Sequence, residues 1–216
     1  MITGALGNVG SYAAKYLIEH HQSVKLVDIN FEALVARYPQ QPVAYFDFTD
    51  PLTYAGALDN IDRVFIVRPP QLGNPDDLKQ FIEYLSQLKS IKLVVFLSLI
   101  GIERNPVPPH YKIEKMIERA GLPFCHIRPS FFMQNLSGIH AFEIRHFNRI
   151  VVPASHAVTS FIDAQDVGDV VGLVLSNPND HINQAYSITG PQAIDYDKVA
   201  TILSAVVGKS ITYANP

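Results

Sequence analysis

Apolar and polar positions along this chain follow two alternating rhythms. Short apolar runs recur between longer stretches in which apolar residues return every three or four positions. Met1 and Ile2 open the chain, and Tyr12, Ala13, Tyr16, Leu17 and Ile18 then fall at helical spacing. Val24, Leu26 and Val27 read as a second strand that ends on Asp28. Residues 31–38 read as a short helix ended by Pro39 and Pro42, and residues 43–46 as a third strand. Asp50 and Pro51 have the character of an N-cap and first helical position for a helix reaching residue 58. Residues 63–67 are apolar after Arg63, as in a strand buried on both faces, and Arg68, Pro69 and Pro70 stop it. A helix follows over 78–88, then a strand over 93–97 with Ser98 at its carboxyl end. After a proline-rich loop, 99–109, come a helix over 111–120 stopped by Gly121 and a strand over 124–127 running into Arg128 and Pro129.

This alternation predicts an α/β fold with a doubly wound parallel sheet. Ligands of such sheets sit beyond the carboxyl ends of the strands. Those ends are Gly4, Asp28, Asp47, Val67, Arg68, Pro69, Ser98, Pro129, Ser130 and Phe131. Beyond Ser130 the rhythm loosens. Phe131, Phe132 and Met133 form an apolar cluster, either core or a wall beside a planar ligand. Residues 158–162, 185–189 and 211–213 read as strands, and 163–175 and 196–207 as helices.

The first turn carries the chemistry. Thr3, Gly4, Gly7 and Gly10 make a T-G-x-x-G-x-x-G run, with Asn8 and Val9 before the last glycine. Gly4 can take backbone angles closed to other residues. Gly7 lets a pyrophosphate approach the backbone, and Gly10 lets helix and strand pack closely. The free N–H groups at the helix start then face the phosphates. The spacing differs from G-x-G-x-x-G, and a tight turn without a ligand is the plain alternative. The context of helix, strand and acid supports the nucleotide reading, with Asp28 lying 18 residues after Gly10. An acid there accepts hydrogen bonds from a ribose 2′-hydroxyl and repels a 2′-phosphate. No Lys or Arg follows it until Arg37, which favours NAD(H) over NADP(H).

The chain has 216 residues, 48% hydrophobic and 17% charged, enough for one α/β domain with a small lobe. A net charge of −3 gives no reason to expect nucleic acid or an anionic membrane as partner. No leader or spanning run is visible, so the cytoplasm is the default location. Cys125 sits in an apolar run and reads as a buried structural thiol. The strand before Thr3 is only Met1 and Ile2, against a usual length of ~5–6 residues, so the chain begins late or lacks upstream residues. Its stop at Pro216, just as a strand begins, points to a missing remainder.

Tyr111 and Lys115 form a Y-x-x-x-K pair, the spacing of short-chain dehydrogenases, in which the tyrosine donates a proton and the lysine lowers its pKa. The register argues against it. In the extended type of those enzymes the lysine precedes a helix glutamate by four residues. With Glu114 as that glutamate, the lysine place falls on His110 and the tyrosine place on Pro106, which has no proton to give. His110 is then either a proton shuttle or hydrogen-bond donor for a carbonyl, or simply an exposed or capping residue. Arg68 is a phosphate or substrate contact, or a loop charge. The other histidines show no metal-ligand spacing, and no metal is expected.

TGALGNVG (3–10), VFIVRPP (64–70), HYKIEKMIERAG (110–121), RPSFFMQN (128–135), FIDAQD (161–166) and YSITG (186–190) together resemble the NmrA-like group of atypical short-chain dehydrogenases. The likeness is greatest to its bacterial NAD(P)H azoreductase and quinone oxidoreductase members. The resemblance implies a Rossmann domain over 1–130. A small, incomplete substrate lobe over 131–216 would interleave with the last Rossmann elements. It implies nucleotide contacts at Gly4, Gly7, Asn8, Val9, Asp28, Asp47, Phe48, Val67 and Arg68. The nicotinamide would lie near Ser98, His110, Pro129, Ser130 and Phe131. Many members carry a basic residue in place of Asp28 and prefer NADPH. The expected activity is hydride transfer from NAD(P)H to a quinone-like or other conjugated small molecule. His110 and Ser98 are the candidate catalytic groups. The alternatives are a nucleotide-binding redox sensor with a regulatory protein partner and an inactive truncated product. A homodimer is compatible with either active form.

Overall fold

A computed structural model describes Met1–Pro216. In chain order the elements are β1 (Ile2–Thr3), α1 (Asn8–Glu19), β2 (Leu26–Asp28), α2 (Phe31–Arg37), β3 (Val43–Tyr45), α3 (Tyr54–Leu58), β4 (Arg63–Ile66), α4 (Lys79–Gln87), β5 (Leu93–Leu97) and α5 (Pro109–Arg119). There follow β6 (Phe124–Pro129), α6 (Gln134–Ser137), α7 (Ala141–Phe147), β7 (Arg149–Val151), α8 (Ala164–Ser176), β8 (Gln184–Ile188), α9 (Tyr196–Val207) and β9 (Thr212–Ala214). The chain divides into two compact units, Met1–Pro129 with Gln165–Ile188, and Ser130–Ala164 with Thr189–Pro216.

The first unit holds a parallel sheet of seven strands in the order β3-β2-β1-β4-β5-β6-β8. This is the doubly wound fold of the Rossmann type, and the strand order reverses between β1 and β4. Alternate residues of a strand face opposite sides of a sheet. Val64, Ile66, Val94 and Phe96 share one core with Tyr54, Phe81, Ile82, Leu85, Ile113 and Ile117 of α3, α4 and α5. Their neighbours Phe65, Val95 and Ile127 are equally buried, so both faces are covered. Helices α1 and α8 meet closely. A Cβ on Gly168 would lie 2.4 Å from Tyr12 Cβ, and one on Gly172 2.3 Å from the Tyr16 ring. Asp50 caps its helix as its type predicts, accepting the Leu52 N–H at 3.0 Å, although the first turn is 3₁₀. No helix is long and apolar enough to cross a membrane.

The second unit has its own core of Ile150, Phe161, Tyr196, Val199, Ala200 and Ile211, and a parallel pair formed by β7 and β9. The strand expected over 158–162 is absent. Thr159 bridges antiparallel to Ile194 while Ile162 bridges parallel to Phe132, so two partners split the segment and no ladder runs along it. Gly190 is required where it stands. A Cβ there would fall 1.8 Å from the Phe161 carbonyl oxygen.

Candidate nucleotide site

The carboxyl ends of β1 and β4 adjoin at the reversal point. Thr3, fully buried, accepts the Val67 N–H on its hydroxyl at 3.0 Å and so ties the two ends together. Sequence reasoning gave Thr3 no role of its own; its place before Gly4 was the signal. Gly4 has φ +59°, and a Cβ on it would meet the Val67 side chain at 2.6 Å. Gly7 is the N-cap of α1 and donates to the Gly4 carbonyl at 2.9 Å. Gly10 lies against that same carbonyl, where a Cβ would come within 2.2 Å. The turn is therefore compact because of its glycines.

The start of α1 has no side-chain cap and no acid in its first turn. Gly7 and Asn8 are exposed and Val9 is buried. The first intrahelical bond is Ser11 N–H to the Gly7 carbonyl at 3.0 Å, which leaves the amides of Asn8, Val9 and Gly10 as helix-start donors. Three such donors with the positive end of the helix dipole suit a phosphate. The cradle thus suits a phosphate group on its own geometry.

Asp28 ends β2 beside this turn. One carboxylate oxygen accepts the Leu6 N–H at 3.2 Å and the other the Asn30 N–H at 3.1 Å. Each oxygen keeps a second lone pair for a ligand hydroxyl. Asp47 accepts both the N–H and the hydroxyl of Thr49 at 2.8 Å. Phe48 is buried, its ring edge-on to Phe46 and Phe81, so only its backbone can meet a ligand.

Arg68 curls over its own loop, donating to the Pro69 and Leu72 carbonyls at 3.0 and 2.7 Å, and its buried Nε has no partner. No carboxylate pairs with it, so a half-buried cation lies open to an anion or a carbonyl. His110, in the first turn of α5, rests its ring 5.9 Å from Phe96. Burial first, and then the charge of Arg68, lower its pKa to about 4. At neutral pH it is an uncharged imidazole, whose Nδ1 is buried without a partner. Ser98 is 1% exposed, and its hydroxyl forms no well-directed bond, although the Glu114 carboxyl lies close by.

Glu114 itself is 1% exposed and receives both Nε and Nη2 of Arg128, at 3.0 and 2.7 Å. Burial would raise its pKa, but the Arg128 hydrogen bonds hold it below the ordinary carboxylate value. Lys115 turns to Glu118 at 2.6 Å, with its ammonium 5.8 Å from the Tyr111 ring centroid. Pro129 ends β6 and accepts the Ile100 N–H. Ser130 and Phe131 belong to the second unit. Ser130 donates to the Ser160 carbonyl. Phe131 stands edge-on to Phe161 at 5.8 Å and near-parallel to His140 at 6.5 Å. Cys125 is fully buried, and burial pushes its thiol up to about 12.

Residues 1–215 match the NmrA-like family. The NAD(P)H azoreductase of Xenophilus azovorans is 30% identical over 220 residues, covering 99% of this chain and 75% of that protein. Prestalk A differentiation protein A of Dictyostelium discoideum is 35% identical over 170 residues, 78% of this chain and 54% of its own length. Among solved structures, the NADPH-dependent quinone oxidoreductase of Escherichia coli, in complex with NADPH, superposes with a TM-score of 0.86 at 20% identity, over 99% of this chain and 77% of that one.

Proposed function

The chain belongs to the NmrA-like family, which includes NAD(P)H-dependent reductases, and on that premise we propose that it transfers hydride from NAD(P)H to a quinone-like or other conjugated small molecule. The observation that carries this reading is the uncapped, glycine-lined start of α1 at the β1/β4 reversal, with Asp28 beside it. In this reading the amides of Asn8, Val9 and Gly10 hold the pyrophosphate. Asp28 holds the adenosine ribose, and the ends of β3 and β4, at Asp47, Phe48, Val67, Arg68 and Pro69, flank the nucleotide. Ser98, His110 and Pro129 border the reactive end. When bound, the cofactor supplies the hydride.

The side chains then have little bond-making to do. The acceptor takes a hydride, which carries both electrons, and needs one further proton to become the hydroquinone or its equivalent. His110 carries no proton in excess at neutral pH, because its pKa is about 4. It acts as a hydrogen-bond partner that orients the acceptor carbonyl, and the proton comes from solvent. Arg68 stabilises the negative charge that develops on the acceptor oxygen. The test is oxidation of NADPH and NADH by the protein with and without a benzoquinone. Acceleration by the quinone is expected; equal rates in both conditions overturn the proposal.

One observation favours a second reading. The expected tyrosine place is Pro106 and His110 is uncharged, so no strong acid faces the reactive end. A redox sensor needs none. It would bind oxidised and reduced nucleotide with different affinities, turn over neither, and engage a partner protein in only one redox state.

A further inference from the structure

His126 is a buried imidazole whose ring nitrogens make no well-formed hydrogen bond. Its side chain is 0% exposed. It lies on β6, stacked on Phe124 at 4.6 Å and edge-on to Phe96 at 6.1 Å. Its Nε2 is aimed at α5, where Glu118 Oε1 stands 3.4 Å away. One helical turn earlier, Glu114 presents its carboxyl to the same space, and the three donor atoms lie within 4.8 Å of one another. In its Nδ1–H tautomer the ring offers an Nε2 lone pair to the point on which the two carboxylates also converge.

We propose that Glu114, Glu118 and His126 form a divalent-cation site suited to Zn²⁺. A tetrahedral zinc with bonds of about 2.0–2.2 Å has ligand-to-ligand edges of about 3.3–3.6 Å. The His126–Glu118 pair already has that edge at 3.4 Å. The second lone pair of a Glu114 oxygen, within 4.8 Å of the other two donors, supplies the third ligand, and water takes the fourth position. Imidazole with two carboxylates suits zinc better than magnesium or calcium, which prefer oxygen alone.

The cations already present do not block the site. Lys115 takes only Oε2 of Glu118 and leaves Oε1 to the ion. Arg128 takes one lone pair from each Glu114 oxygen, and each oxygen has a second. Arg128 and Lys115 become the outer groups that orient the ligands. Glu118, 26% exposed, supplies the way in from solvent. Cys125, one residue before His126, points to the opposite face of the sheet and takes no part. The bound ion would clamp α5, whose first turn carries His110, to β6.

The test is titration of the full chain with Co²⁺ followed by competition with Zn²⁺. The expected result is one equivalent bound, with the visible absorption of a four- or five-coordinate site, displaced by zinc, and a higher melting temperature. His126→Phe keeps the ring stack and Glu118→Gln keeps the side-chain volume; each should weaken binding by about a hundredfold or more, the scale expected for losing a direct ligand rather than an outer one. Should His126→Phe fail to fold, Glu118→Gln, at a partly exposed position, decides. Absence of the absorption up to millimolar Co²⁺ overturns the proposal. So does unchanged affinity in Glu118→Gln. So does a nuclear magnetic resonance titration showing His126 as an imidazolium bonded to Glu118 in metal-free protein that takes up no metal, since the proton is then the occupant.

Discussion

Arg128 grips Glu114 through two parallel hydrogen bonds, Nε to Oε1 at 3.0 Å and Nη2 to Oε2 at 2.7 Å, across the junction of β6 and α5. The glutamate is 1% exposed and the arginine side chain 14%. Removing one member of a buried, bidentate pair strands the other, at a cost of ~3–5 kcal/mol. Glu114→Gln should therefore lower the unfolding free energy by roughly 3 kcal/mol, read from the urea midpoint. Glu103→Gln is the contrast. Glu103 meets the same arginine at 3.3 Å but is 44% exposed, and its loss should cost under about 1 kcal/mol. Equal effects of the two changes would show that burial does not set the value of this network.

Stability should fall as the solution is acidified below pH 6.5. Burial, joined by the charge of Arg68, lowers His110 to about 4, and burial chiefly lowers His126 as well. Arg68 and Glu114 face His110, while Glu114, Glu118 and Arg128 face His126. Unfolded, both histidines titrate near pH 6.5. Above that value neither state binds the protons and neither residue adds a slope. Below it the unfolded chain takes up protons that the folded chain refuses, and stability is lost from pH 6.5 down towards about 4. Glu114, held below the usual carboxylate value, releases its own contribution only at lower pH. Urea midpoints at pH 7 and pH 5 should differ, and His110→Gln should shrink the difference. An unchanged slope in that variant would mean that His110 takes up its proton alike in the folded and unfolded chain.

The sequence rhythm from Val24 to Pro129 was legible because strands buried on both faces make continuous apolar runs, and Gly and Pro punctuate them. Helix α9 was legible end to end, with Asp195 capping it and Gly208 stopping it in a left-handed turn. Helices α6 and α7 were not. They are short, Gly138 separates them, and Ile139, Phe142 and Phe147 are exposed, so apolar spacing there does not report a buried face. At the site, the carboxyl-end residues could be read from strand endings alone. The meeting of Glu114 with Arg128 and His126 could not, because it depends on which strand α5 packs across. Nor could the two backbone amides that already occupy Asp28.

Those two amides make Asp28 both a loop anchor and a charge facing the nucleotide. Each carboxylate oxygen holds one N–H, from Leu6 and from Asn30. Asp28→Ser removes the negative charge that would repel a 2′-phosphate while leaving a small hydrogen-bonding group. The ratio of NADPH to NADH affinity, measured by calorimetric titration, should rise by about tenfold, equivalent to ~1.4 kcal/mol. Overall affinity should drop somewhat, because the loop loses its anchor. A ratio that stays fixed would remove Asp28 from cofactor choice and leave it a purely structural residue.

Gly10 offers the sharpest test of the cradle itself. A Cβ at this position would lie 2.2 Å from the Gly4 carbonyl oxygen and 2.8 Å from the Gly4 carbonyl carbon, contacts no side chain can relieve by turning away. Either α1 must back off from the turn or Gly4 must leave its φ of +59°. Both movements displace the free amides of Asn8 and Val9 at the start of α1. Gly10→Ala should therefore weaken NAD(P)H binding at least tenfold, or more than ~1.4 kcal/mol, as read by quenching of protein fluorescence or calorimetry. Gly56→Ala is the control, since nothing lies within 4 Å of a Cβ there, and it should leave binding unchanged. Full affinity in folded Gly10→Ala would place the nucleotide away from the start of α1, and the reductase reading would lose the observation it rests on.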